Sequence, residues 1–457
     1  MVNLFDEAKQ QIRERLTDAL TKAIRDGKLP EGEIPAFTVE VPADSAHGDF
    51  ASNIAMASAR VFRRSPKMIA DILAEEISLQ DSFLDHCEVA GAGFLNFFLN
   101  RQWYGDCVKT VLSEGERYGR SDYGAGKRYL VEFVSANPTG PMHIGNARGG
   151  AIGDGIASVL EWAGFETSRE FYVNDAGNQI AKFALSLDLR YQQLYREGIE
   201  MPEDSYHGQD IIDHAKNFAA LYGDSYLEKS EEERRRALVD YALPLNIEGL
   251  ERDLKKYRIT YDKWFRESSL HQSGEAKKVV DMLTERGFTY EQDGALWFKA
   301  EQFGADKDFV LRRSNGFFTY VVPDIAYHYN KLVTRGYDIA IDVLGADHHG
   351  YVPRLKAALQ ALDVDPDRLK VVLMQMVRLV RGGEVVKLSK RSGKAITLVT
   401  LLDDIPIDAA RFYFNLREAD SQFDFDLDLA VEQSSQNPVY YVQYAHARIC
   451  SILKNLA

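Results

Sequence analysis

Arg128-Tyr-Leu-Val-Glu-Phe-Val-Ser-Ala-Asn-Pro-Thr-Gly-Pro-Met-His-Ile-Gly-Asn-Ala-Arg148 is the stretch that decides the fold. Tyr129 to Val134 is short, apolar and rich in aromatic and β-branched residues, so it reads as a buried strand. Pro138, Gly140 and Pro141 end that pattern and predict a loop from about Ala136 to Pro141. Ile144, Ala147, Ala151, Ile152, Ala157, Val159 and Leu160 then recur at helical spacing, which starts a helix near His143 or Asn146. Strand, tight loop and helix N-terminus form a nucleotide site in a doubly wound α/β fold, because the N–H groups and dipole of that helix end favour phosphate. Neither GxGxxG nor GxxxxGK[ST] is present, so the stretch is neither a dinucleotide fingerprint nor a P-loop.

His-Ile-Gly-Asn at 143–146, preceded by Pro-Thr-Gly-Pro, resembles the HIGH motif of class I aminoacyl-tRNA synthetases. The longer string Val-Glu-Phe-Val-Ser-Ala-Asn-Pro-Thr-Gly-Pro is similar to its arginyl-tRNA synthetase form. Asn146 stands where the second His belongs; an amide still donates a hydrogen bond, so a differently placed contact is expected. Lys387-Leu-Ser-Lys-Arg-Ser-Gly-Lys394 resembles the second signature, KMSKS, with Leu for Met and Arg in the final position. Its lysines are point charges suited to phosphate, and Gly393 allows the loop to move.

The fold class expected is α/β, a Rossmann-like HIGH-type nucleotide-binding core with an inserted connective domain. Residues 1–118 read as a separate α+β unit: an amphipathic helix from Leu4 to Ile24, a strand at Phe37, a helix opened by Pro66 and a strand at Phe94 to Leu99. Its His47-Gly-Asp-Phe and Gly93-Phe-Leu-Asn-Phe resemble the appended domain of the family, which implies contact with the corner of tRNA. The catalytic region is expected over 119–420, with an insertion at about 180–300. That insertion looks too short for an editing domain and carries no obvious hydrolytic group. Glu231-Glu-Glu-Arg-Arg-Arg236 within it reads as a solvated helix face. Residues 421–457 resemble the start of a helical anticodon-binding domain; the helical pattern runs to Ala457 without a stop, so a cut-off domain is expected.

The 457 residues suggest about three domains, and 45% apolar and 27% charged residues are globular values. No signal peptide opens the chain, and no apolar run approaches the ~18 residues of a membrane span. A net charge of −14 argues against indiscriminate nucleic-acid binding. Between Arg354 and Lys394, however, ten Lys/Arg face four acids, a local basic surface able to hold phosphate. Cys87, Cys107 and Cys450 are few, odd in number and far apart, which fits buried thiols in a reducing cytoplasm rather than a disulfide or zinc framework.

The resemblance implies activation of L-arginine by ATP, dependent on tRNA, and transfer to tRNA-Arg by a monomer. It implies ATP contacts at His143, Gly145, Asn146, Gly345, Asp347, His348, Met376, Val377, Lys387, Ser389 and Lys390, with His143, Asn146, Lys387 and Lys390 as the catalytic set. It implies arginine contacts at Glu132, Ser135, Asn137, His143, Tyr320, Asp324 and His348. No protein metal site is expected; Mg²⁺ would ride on the ATP phosphates, since no all-protein oxygen cage is visible. His348 and His349 are adjacent and diverge, without the carboxylate partners of a zinc site. A metabolite-activating HIGH-type enzyme would lack the appended RNA-binding segments, and a degenerate RNA-binding paralogue would fail to bind ATP.

Overall fold

Asn3 caps the first helix, its Oδ1 accepting from the Phe5 and Asp6 backbone, and α1 (Leu4–Arg25) buries Ala8, Ile12, Leu16, Leu20 and Ala23 along one stripe. The computed structural model describes residues 3–386 and 397–456, divided into units at Met1–Asp122 and Tyr123–Ala457. In the first unit α1 is followed by β1 (Val39–Glu40), β2 (Phe50–Ser52), α2 (Ile54–Phe62), α3 (Pro66–Glu76), β3 (Leu84–Ala90), β4 (Phe94–Leu99) and α4 (Arg101–Glu114). The strands form one antiparallel sheet in the order β1-β2-β4-β3. The Gly-Asp-Phe motif serves this sheet: a Cβ on Gly48, at φ +86°, would meet the Phe97 carbonyl at 2.7 Å, and Asp49 Oδ2 accepts from Leu99 N at 2.8 Å.

The second unit opens with β5 (Arg128–Glu132), α5 (Ile144–Trp162), β6 (Glu166–Val173) and three long helices, α6 (Gly177–Gln193), α7 (Gln209–Tyr222) and α8 (Glu231–Lys256). Then come β7 (Lys263–Arg266), α9 (Glu267–Gln272), α10 (Glu275–Glu285), β8 (Thr289–Gln292), β9 (Ala295–Phe298) and β10 (Phe309–Arg312). The chain returns to the core through α11 (Val321–Tyr329), a π-helical turn (Asn330–Thr334), β11 (Ile339–Gly345), α12 (Val352–Ala361) and β12 (Leu369–Met374). It closes with β13 (Val377–Arg381), β14 (Glu384–Val385), α13 (Leu398–Asp404), α14 (Ile407–Asn415), β15 (Phe423–Asp426) and α15 (Pro438–Leu456).

Five parallel strands in the order β12-β11-β5-β6-β7 make the central sheet. From β5 the chain winds one way through β6 and β7, then crosses back to β11 and β12, so the topological switch lies between β5 and β11. Ligands of doubly wound sheets bind outside the carboxyl ends of the strands at that place. Gly153 lets α5 lie close on β5, since a Cβ there would sit 2.2 Å from the Phe133 ring.

Several expectations change. The segment at 261–266 is not part of a separate insertion: β7 is the edge strand of the central sheet, its Lys263–Arg266 paired with Glu170–Val173. Phe309 to Val322 reads in sequence as a hairpin-like strand pair about Ser314-Asn-Gly316, but that turn closes only an isolated bridge, Arg312↔Phe318, and β10 pairs with β9. Pro323, which suits the first position of a helix, is instead the third residue of α11, while Asp324 lies in the first turn as its charge suits. The charged run at 231–236 is not wholly solvated. Arg234 is buried with its Nε 2.5 Å from Asp188 Oδ1, and Arg235 reaches the same carboxylate at 3.2 Å, joining α8 to α6. Cys450 is exposed on α15, and Cys87 and Cys107 are half-buried, so the thiols are not uniformly buried. Among the described residues no helix is long and apolar enough to cross a membrane.

Candidate active site

The loop leaving β5 is strained where it matters. Val134 and Ser135 have φ of +70° and +41°, the left-handed region that a β-branched residue adopts only under constraint. Three bonds impose it. Tyr261 donates to the Phe133 carbonyl at 3.0 Å, Ser135 Oγ donates to Glu132 Oε1 at 2.8 Å, and the same Oγ accepts from Tyr172 N at 3.1 Å. The sheet neighbours β6 and β7 thereby fix the direction in which Ala136 to Pro141 leaves. Asn246 of α8 donates to the Pro138 carbonyl at 2.9 Å and secures the loop from the helical side.

His143 is the N-cap residue of α5, and Asn146 turns back to it: Asn146 Oδ1 accepts from His143 N at 3.1 Å. The acceptor end of the Asn146 amide is spent on closing the first turn, which leaves Nδ2 as its donor end for an anion. Among the described residues a Cβ on Gly145 would meet nothing within 4 Å, so their packing does not call for glycine there. Arg148, missed by sequence reasoning, is fully buried and donates to the carbonyls of Gln375, Ser421 and Glu418 at 2.8, 3.0 and 2.8 Å. It ties the signature helix to the segments on either side of the second signature.

Lys387, Ser389 and Lys390 lie outside the described residues. The residue that follows that stretch, Thr397, forms a β-bridge with His143, and Leu398 N donates to the Met142 carbonyl at 3.0 Å. The segment that follows the second signature is therefore held by backbone pairing to the first. Of the basic surface expected between Arg354 and Lys394, three members are spent internally. Arg368 donates to the carbonyls of Leu332, Tyr337 and Asp338, Arg378 pairs with Asp424 and Arg381 with Asp404.

On the other wall of the crevice, Gly345 ends β11 and Ala346–His348 is a single 3₁₀ turn with Asp347 and His348 exposed. Met376 is 69% exposed and Val377 is buried at the start of β13. Tyr351, also missed, holds this wall together: its ring lies 5.8 Å from that of Tyr320 and 6.2 Å from that of His348, and its hydroxyl donates to Asp324 Oδ2. Asn137 is exposed on the loop.

The carboxylates divide into two kinds. Glu132 is buried and already accepts from Lys331 Nζ at 2.5 Å as well as from Ser135. Asp342, paired with Lys331 and His328, is held well below the usual carboxylate range because these partners outweigh its burial. Asp324 has no Lys or Arg partner among the described residues. Burial pushes it up to about 6, against the pull of the Tyr351 hydrogen bond, with Glu132 and Glu267 adding repulsion. Glu267, unread in the sequence, accepts from Tyr172 at 2.9 Å and is likewise raised by burial. Asp175 caps α9 through Ser268, its Oδ1 and Oδ2 each accepting at 2.8 Å, and so positions Glu267.

Glu132, His328 and Asp342 are the one trio of possible metal ligands among the described residues. The Lys331 ammonium stands between the two carboxylates, so the trio offers no room for an ion.

Comparison with known proteins accords with this geometry. Residues 107–450 match the model for tRNA synthetases class I (R), catalytic domain, and residues 10–99 match the arginyl tRNA synthetase N terminal domain. The chain is 54% identical over 456 residues to an arginine–tRNA ligase of Caldanaerobacter subterraneus, covering all of this chain and 81% of that protein. It is 51% identical over 458 residues to one from Acetivibrio thermocellus, with the same coverage. A Campylobacter jejuni structure described as an arginyl t-RNA synthetase superposes with a TM-score of 0.72 at 35% identity, over 78% of each chain. The Thermus thermophilus arginyl-tRNA synthetase, at 23% identity, shares the fold with a TM-score of 0.68 over 98% of this chain and 82% of that one. The chain belongs to the arginyl-tRNA synthetase family, built on the class I catalytic fold.

Proposed function

We propose that this chain activates L-arginine with ATP and transfers it to the 3′ end of tRNA-Arg, using the crevice between β5 and β11 for both small substrates. The observation that carries the arginine assignment is Asp324, a buried-wall carboxylate raised to about 6 with only a tyrosine donor. Such a group is completed by a cationic ligand, and a guanidinium matches a carboxylate through two parallel N–H donors. Glu132, Asp324 and Glu267 are assigned to the guanidinium, Tyr320 and Tyr351 to the wall beside it, and Ser135, Asn137, His143 and His348 to the amino-acid end.

In the first step the arginine carboxylate oxygen attacks the α-phosphorus of ATP; that O–P bond forms, the bond to the bridging oxygen breaks, and pyrophosphate leaves. No protein nucleophile takes part, so catalysis is positioning plus stabilisation of phosphate charge. His143, the Asn146 amide and the N-terminus of α5 are assigned to the phosphates, with Lys387 and Lys390 opposite them. Gly345, Asp347, His348, Met376 and Val377 line the nucleotide side. Mg²⁺ would be held by the ATP phosphates and would neutralise part of their charge. In the second step a terminal ribose hydroxyl of tRNA attacks the carbonyl carbon and releases AMP. Residues 1–118 are assigned to the tRNA corner and 421–457 to the anticodon side. The enzyme is proposed to act as a monomer in the cytoplasm, where free Cys87, Cys107 and Cys450 stay reduced.

Exchange of labelled pyrophosphate into ATP tests this. Exchange is expected only with arginine and tRNA-Arg together; exchange with arginine but no tRNA would favour a metabolite-activating enzyme, and none with both present would overturn the assignment.

A further inference from the structure

The loop that joins β5 to α5 is held at three backbone carbonyls, each by a different part of the chain. Tyr261, just before β7, donates to Phe133, Asn246 of α8 to Pro138, and the Leu398 amide at the start of α13 to Met142. The middle clamp comes from the helices that separate β6 from β7, which carry no residue so far assigned to the reaction.

Two of those helices build it. An Asn amide can face either way, and His214 of α7 decides the direction here. His214 Nε2 lies 2.8 Å from Asn246 Oδ1, a contact made by Nε2–H donating. That leaves Asn246 Nδ2 to donate to the Pro138 carbonyl at 2.9 Å. The His214 ring is itself held edge-on to Tyr241 of α8, with centroids 6.4 Å apart. One turn before His214, on the same face of α7, Asp210 brings a carboxylate to the same loop. A Cβ on Gly140 would lie 3.2 Å from its Oδ2, so position 140 has little room for a side chain.

Asn137 is the residue that gains. A residue before proline is confined to extended backbone, and Pro138 and Thr139 are buried. Fixing the Pro138 carbonyl therefore fixes the peptide on which the exposed Asn137 stands. The His143 end of the loop has its own anchor at Met142, so the middle clamp acts on the amino-acid end rather than on the phosphate end.

We propose that Asn246, oriented by His214, is a positioning residue for the reaction: it holds Asn137 and its neighbours where they receive the amino-acid end of arginine. The helices between β6 and β7 thereby shape the small-substrate site from outside it. The inference rests on reading this loop as an arginine contact.

Pyrophosphate exchange with tRNA-Arg present, varying arginine and ATP in turn, tests it. Asn246→Ala should raise the KM for arginine about tenfold, the scale of one lost positioning bond, and leave the KM for ATP within about twofold of wild type. His214→Ala should raise the arginine KM about threefold, and His214→Gln, whose amide Nε2 can donate in the same place, should restore it. The double Ala variant should be no worse than Asn246→Ala alone, because the two side chains act as one unit. An unchanged arginine KM, or equal rises in both KM values, marks a merely structural bond and overturns the proposal; additive effects overturn the orienting role of His214. If Asn246→Ala shows no cooperative thermal transition, Asn246→Asp carries the test. It keeps the size and the acceptor for His214 but sets a second acceptor against the Pro138 carbonyl, and an arginine KM equal to wild type refutes the role. Failure of the underlying reading looks different: the wild-type chain shows no arginine-dependent exchange, or Asn137→Ala leaves the arginine KM unchanged.

Discussion

The two walls of one crevice treat buried acid in opposite ways. On the floor, Asp342, Glu132 and Glu170 each face a cation of the same chain. On the α11 and α9 side, Asp324 and Glu267 receive hydroxyl donors from Tyr351 and Tyr172, with His271 3.7 Å from Glu267, and burial raises both carboxyls. In the first arrangement each acid already has a cation of the chain beside it; the second is the one proposed to be completed by a cationic ligand. Acid content alone does not mark a cation pocket. Incomplete pairing does.

The largest effect that would break this contrast is at Asp324. Asp324→Asn is expected to lower arginine activation, as kcat/KM, by about 10³- to 10⁴-fold, the scale for a site that loses buried charged partners of its substrate. The same variant should be more stable than wild type without ligand, by about 1–3 kcal/mol at pH 8, in thermal unfolding. The sign follows from the raised carboxyl: the fold favours its protonated form, so its ionisation costs stability as pH climbs from the unfolded value through about 6. The gain of the variant should therefore vanish near pH 4.

The complementary variant belongs to the floor. Glu170→Gln removes the partner of Arg335 and of the Tyr327 hydroxyl, at 2.6 Å, and leaves a half-buried guanidinium uncompensated over a buried site. A loss of about 3–5 kcal/mol in denaturant unfolding is expected, with the KM for arginine within about twofold of wild type at permissive temperature. A large KM change without instability would erase the distinction between the two walls.

Smaller effects sharpen it. The KM for arginine should rise up to about tenfold per pH unit as pH falls below about 6, because Asp324 takes up a proton that the guanidinium must displace. Tyr351→Phe removes the one hydroxyl that lowers Asp324, so the midpoint of that profile should move upward, with a cost in arginine affinity of about 1 kcal/mol.

How much of this was readable in the chain depends on distance along it. The strand–loop–helix unit at 128–162 is local, and β5 and α5 appear within a few residues of where alternation and helical spacing put them. Glu132, Tyr320 and Asp324 entered through resemblance to a family, and the structure brings Asp324 and Tyr320 to the same side chain, Tyr351. The cation partners stayed hidden for a physical reason. Lys331 and Arg335 look like an ordinary basic helix end, and only the register Asp342↔Glu132↔Glu170, which needs β5 to pair with the sequence-distant β11 as well as with β6, places acids beneath them. Glu267 escaped notice because β7, read as part of an insertion, is a strand of the central sheet that delivers the residue after it to the crevice. Arg148 sits in the signature itself, yet its three carbonyl partners lie more than 220 residues on, beyond any local pattern.

The most direct test of incomplete pairing at Asp324 is the proton balance of arginine binding, measured by calorimetry in buffers of different ionisation enthalpy. Binding at pH 6 should release about half a proton, falling towards zero at pH 8, as the guanidinium forces a half-protonated Asp324 to ionise. Arginine binding with no release at pH 6, or with uptake, would contradict the account.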